Sequence, residues 1–219
     1  LAALSVAMPS AGARAAAVFC TPWITRVASW ALEDATGASP ALFVGAAGTA
    51  GSDNDAVPRY PASYRLPNLV AVAATDNNDR LASFSNYGNE SVDLAAPGTG
   101  IPVYACAAPG APDPLCGYYV MDGTSAAAPQ VAGVAVLVQS VDPLVTNAEI
   151  REFLRAGATP LPSLDGRVST AGRLDAYGAV AAAQGSIGPD NARAAPFIRC
   201  TNACRTSGTG LLLLCGPLL

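Results

Sequence analysis

Apolar residues run along this chain in short, nearly unbroken blocks, separated by turns rich in glycine and proline. The blocks at 1–7 (LAALSVA), 41–46 (ALFVGA) and 68–75 (NLVAVAAT) have no polar alternation, which predicts strands covered on both faces. Shorter strands are predicted at 92–94, before an APGTGI turn, and at 118–121. Between the strands the period changes. Residues 23–36 carry Ile24, Val27, Trp30, Ala31 and Asp34 at helical spacing. Residues 147–156 put Ile150, Phe153 and Leu154 on one helical face, and 175–183 predict a last helix. The segment 126–141 is a helix with an unusually small surface, built on Ala126, Ala127, Ala128, Ala132, Gly133 and Ala135, so it must pack closely. Pro129 falls in its first turn, where a missing N–H costs nothing. Strands alternating with helices predict an α/β layered fold with a mostly parallel sheet. No internal repeat is present. The pattern dissolves after Gly185, which predicts one domain over 1–185 and a weakly ordered, cysteine-containing tail over 186–219.

Composition bounds the function. A chain of 219 residues, 51% hydrophobic and 13% charged, can bury one sizeable core. A net charge of −4 argues against nucleic acid or an anionic membrane surface as partner. No charge-free run of about 18 apolar residues predicts a membrane span, and the run 211–214 is far too short. The opening LAALSVAMPSAGARAAA has the apolar look of a signal peptide but no initial Met or basic leader. A buried strand is the better reading, with the expectation that the chain begins inside a domain. The six cysteines favour an oxidising or secreted location. Cys106 and Cys116 bracket a loop with three prolines and a glycine, which predicts a local disulfide worth about 2–3 kcal/mol. Cys200, Cys204 and Cys215 have a C-x3-C…C spacing open to disulfides, free thiols or a metal. No fourth ligand follows, so no metal site is assigned.

The chemistry concentrates at Asp122, where the chain reads DGTSAAAPQVAGVAVLVQ. Ser125 stands where a nucleophile at a helix start would stand, but the chain has no histidine and all twelve positive charges are arginine. The lipase pattern G-x-S-x-G fails at Ala127, and S-x-x-K fails at Ala128. The segment instead resembles the serine motif of the subtilisin-like serine proteases, G-T-S-x-A-x-P-x-V-A-G. It meets every fixed position: Gly123, Thr124, Ser125, Ala127, Pro129, Val131, Ala132 and Gly133. The resemblance implies a three-layer subtilisin-like sandwich with its N-terminal half missing. It also implies that the Ser125 N–H and the helix dipole face a developing oxyanion. The stretch 60–88 resembles the family's specificity-pocket wall, with a cis bond expected at Tyr60–Pro61 and substrate contacts at Tyr60, Pro61 and Ala62. Residues 92–101 and 172–180 resemble the family's D-x-x-A-P-G segment and closing helix.

Departures from the family pattern are equally specific. The motifs that supply the catalytic Asp and His are absent. The family's AAGN, whose asparagine completes the oxyanion hole, reads Ala46-Ala47-Gly48-Thr49; losing such a donor costs about 10²–10³ in rate. The substrate-pairing S-L-G-G reads Ser5-Val6-Ala7-Met8, where Met8 would crowd the pocket entrance, and the usual histidine after the motif proline is Gln130.

Two functions follow. One is a catalytically inactive homologue acting as a structural or binding module with a protein partner over its exposed sheet. The other is a serine endopeptidase fragment acting on peptides with a separately supplied N-terminal half. A glutamate base of the sedolisin kind would also belong to the missing region. The turn GAAGTAG could cradle a phosphate, but it lacks the glycine spacing and lysine such loops use. No cofactor is expected, although the resemblance makes calcium at Asp76 or Asp79 conceivable beside their ordinary role as turn caps.

Overall fold

The computed structural model describes residues 18–106 and 116–186. The expected strand at 1–7 and the tail cysteines lie outside them. Four parallel strands make up most of one sheet: β1 (Val18–Thr21), β2 (Leu42–Ala46), β3 (Leu69–Thr75) and β4 (Leu94–Pro97). The two-residue strands β7 (Thr159–Pro160) and β8 (Gly172–Arg173) extend it past β4, in the order β1-β2-β3-β4-β8-β7. A separate antiparallel hairpin joins β5 (Ile101–Cys106) to β6 (Cys116–Met121). The helices are α1 (Trp30–Gly37), α2 (Thr124–Val141), α3 (Asn147–Ala156) and α4 (Ala176–Ser186).

The unbroken apolar runs of β2 and β3 follow from burial on both faces. Alternate residues Leu42, Val44 and Ala46, with Val70, Val72 and Ala74, join a core with Ala127, Val131, Ala135 and Val138 of α2. The intervening Phe43 and Leu69 meet Leu32 of α1, and Ala71 and Ala73 meet Ala47 and Leu164. Helices on one face, α1 and packed loops on the other, give the expected three layers.

The helix expected at 23–36 begins later, at Trp30, where the Ser29 side chain accepts from the Leu32 N–H. Residues before it form a bridge instead, with Thr25 paired to Tyr60. Val27 and Trp30 are 72% and 86% exposed, so their helical spacing did not mark a core face. The strand expected at 92–94 runs Leu94–Pro97, because Asp93 turns inward to bind the Ala71 N–H, Arg151 and Arg155. The 147–156 helix has the expected bounds, fixed by a capping box between Thr146 and Glu149.

Helix α2 is 18 residues long and apolar enough, by length and composition, to match a bilayer; it is also the helix packed on β1–β4. Away from the sheet, and from the α3 and α4 helices that also pack on it, Val136 and Leu137 are 52% and 51% exposed among the described residues.

Candidate active site

Ser125 sits in the first turn of α2, half-exposed, directly after the β5–β6 hairpin. Gly123 makes this turn possible. Its φ of 153° is one that L side chains rarely adopt, and a Cβ there would lie 2.9 Å from Ser125 Oγ. The Gly123 N–H donates to the Gly98 carbonyl at 2.8 Å, and the Gly98 N–H donates to Thr75 at the end of β3 at 2.9 Å. The Asp122 carboxylate accepts from the Gly100 N–H at 2.6 Å and clasps the root of the hairpin. Gln130, expected as a mild substitution, donates to the carbonyls of Pro97 (2.6 Å) and Ala126 (3.1 Å). The serine is therefore held by the ends of β3 and β4.

The second wall is the turn after β2. Ala46, Ala47 and Gly48 are buried, whereas Thr49 is exposed. The buried Thr124 hydroxyl accepts from the Gly48 N–H at 3.1 Å, which brings the two expected oxyanion-side segments together. The Thr49 γ-methyl lies against the Gly123 turn, 3.8 Å from where a Gly123 side chain would begin. Two buried asparagines set this loop. Asn86 Oδ1 accepts from Ala50 (2.8 Å) and Ser52 (3.2 Å), and its amide donates to Asn54 Oδ1 at 2.9 Å. Asn54 in turn donates to the Ala47 carbonyl at 2.8 Å. Gly48, at φ 125°, leaves room for the Asn86 amide that any Cβ would strike. Neither asparagine is singled out by the sequence pattern, since both lie in stretches that read as polar turns.

The Tyr60–Pro61 bond is cis. Pro61 and Ala62 are buried, and the Ala62 backbone closes on Gly45 of β2. Ser5, Val6, Ala7 and Met8 lie outside the described residues. The strand alongside β2 is Val18–Thr21, whose Thr21 hydroxyl donates to the Val44 carbonyl.

Among the described residues no basic partner reaches Ser125. Among the described residues its hydroxyl makes no hydrogen bond, and the whole chain has no histidine. Asp76 caps its own turn by accepting from Asn78 and Arg80, and Asp79 pairs with Arg173 at 2.6 Å. Among the described residues no group of three or more histidine, cysteine or acidic side chains could hold a metal ion.

This arrangement matches a known family. The model of the subtilase family matches residues 5–185. The chain belongs to the subtilase family. Within it, the chain is 42% identical to alkaline elastase YaB of a Bacillus strain over 124 residues, which are 57% of this chain but 29% of that relative. Among solved subtilases it is similar to a protease of Pseudoalteromonas arctica (TM-score 0.65, 28% identity), covering 76% of this chain and 51% of that one. It is similar as well to a cold-adapted subtilisin-like serine proteinase (TM-score 0.61, 31% identity), covering 75% and 56%. This subtilase chain thus spans less than a third of the length of alkaline elastase YaB, and between half and two thirds of these solved domains.

Proposed function

We propose that this subtilase chain is a protease homologue that does not hydrolyse peptides by itself and serves as a structural or binding module. The observation that carries this reading is the isolation of Ser125. A serine hydroxyl attacks only when a base takes its proton at about 2.6–3.2 Å, and the chain supplies neither histidine nor lysine. Thr49 adds to it, since a methyl against the Gly123 turn replaces an oxyanion donor. A fluorophosphonate probe should leave Ser125 of the purified chain unlabelled. Labelling that disappears in Ser125→Ala would overturn the reading.

The second reading is a peptidase whose acid and base arrive on a separate N-terminal half. The intact Gly123–Ser125 turn and its network favour it, as do Pro129, Gly133, Val136 and Leu137 of α2, which are exposed among the described residues. Such a surface suits a protein partner. A further expectation is a secreted location with a disulfide between Cys106 and Cys116, supported by the hairpin register that sets these two residues opposite each other.

A further inference from the structure

We propose that the cleft shared by Arg80 and Arg167 binds a phosphoryl group. The cleft holds about 390 Å³, and its walls carry both arginines together with Ser83, Tyr87 and Ser163. No carboxylate lines it, in a chain whose net charge is −4. Four other arginines meet carboxylates closely: Arg65 pairs with Glu90 at 2.6 Å, Arg151 and Arg155 with Asp93 at 2.8 and 2.6 Å, and Arg173 with Asp79 at 2.6 Å. Arg80 and Arg167 make no ion pair among the described residues. Both are exposed, so what marks them is how they are mounted rather than burial.

Arg80 closes a tight turn. Its N–H donates to Asp76 Oδ1 at 2.9 Å, and its carbonyl accepts from the Asp76 N–H at 2.8 Å. Asp76 feels the Arg80 charge from within that turn, but its carboxylate is engaged by the Asn78 and Arg80 N–H groups. Asp79, next to Arg80 in sequence, pairs instead with Arg173. Arg167 is set by a different segment: its carbonyl accepts from the Gly88 N–H at 2.8 Å, and its guanidinium lies 4.4 Å over the Tyr87 ring. Stacking on a ring face leaves the N–H edge of the guanidinium free to donate. The Ser83 and Tyr87 hydroxyls likewise have no hydrogen-bond partner among the described residues. A carboxylate presents two oxygens in one plane and a single charge. A phosphoryl group presents three acceptor oxygens and a charge of about −1.5 to −2, so one group can meet both guanidiniums at once. Gly51, two residues beyond Thr49, also lines the cleft, but Ser125 and Thr49 do not, so this binding is independent of whether Ser125 acts.

The test uses the full chain at constant ionic strength, since exposed charges are screened by salt. In NMR spectra, inorganic phosphate should shift the Ser83 and Arg167 amide resonances saturably, and chloride should not. Arg80→Gln and Arg167→Gln should each weaken phosphate binding about tenfold. Arg26→Gln, which removes an exposed arginine outside the cleft, should leave it unchanged. Arg167→Lys should recover only part of the loss, because lysine restores the charge without the fork. A phosphoserine peptide that displaces phosphate, while its serine counterpart does not, assigns the group to a phosphorylated protein; phosphate binding without such displacement assigns it to the free ion. Either result supports the phosphoryl site. Shifts that never saturate, binding that survives both cleft variants, or an equal loss in Arg26→Gln overturns it.

Discussion

The Gly48 N–H donates to the Thr124 hydroxyl across 76 residues of sequence, so the turn after β2 and the first turn of α2 are built as one unit. Thr124 is fully buried, and Gly48 has no water to turn to if that acceptor is lost. Thr124→Val should therefore destabilise the chain by about 1–3 kcal/mol, whereas Thr124→Ser should recover most of the loss. Thermal melts of the two variants check this.

The asparagine pair should be just as sensitive. Asn86→Ala removes the acceptor for two loop amides and leaves the buried Asn54 Oδ1 without its donor. A loss of about 1–3 kcal/mol is expected, with faster amide exchange at Ala50 and Ser52 than at β3. Uniform exchange over both regions would show that the clamp is not local.

Restoring the family's oxyanion donor should do nothing alone. Thr49→Asn is expected to leave peptide hydrolysis undetectable, because the proton of Ser125 still has no acceptor. Members of a catalytic unit contribute together or hardly at all. A continuous fluorogenic peptide assay, comparing the variant with the parent chain, gives the answer.

Acid should loosen the junction of α4 with β7. The Gly178 N–H and then the Thr159 hydroxyl bind the Asp175 carboxylate and hold its pKa below the ordinary value. A depressed carboxyl stabilises the fold above the unfolded pKa of about 3.9, and that stabilisation fades as pH falls through the folded pKa. Asp175 is only half-buried, so the effect is small and screened by salt. Asp175→Asn should melt slightly below the parent at neutral pH, and the gap should close below about pH 4.

Non-reducing peptide mapping should find Cys106 linked to Cys116. Cys20 should stay unlinked and slow toward alkylating reagents, because burial raises its thiol pKa.

Much of this was legible in the residues, for reasons that differ by element. β2 and β3 declared themselves because sheet strands covered on both faces cannot hide their composition. The α3 bounds were readable because Thr146 and Glu149 form a reciprocal cap. β1 escaped notice because VFCT is four residues long and broken at once by Pro22. β5 escaped because Pro102 and the glycines before it read as a turn, although a hairpin with no sheet partner tolerates a proline. Around Ser125, the run of small residues was plain, because a helix packed closely on a sheet leaves few permitted residues. The Asn54–Asn86 clamp was not, since burial of a polar side chain far from its partner in sequence leaves no periodic trace.

Helix α2 carries a further consequence for how the chain is made. Taken alone it has the length and hydropathy of a segment that a membrane would accept. Yet β1, β2, β3 and β4, which cover its buried side, all precede it in the sequence. During synthesis the four strands that α2 packs on are made before the helix emerges, and only the short strands β7 and β8 follow it, so the first surface α2 meets is its own floor. The partners that come later, α3 and α4, close over a helix already seated. The order of elements along the chain therefore shortens the interval in which this apolar rod is without cover on every side.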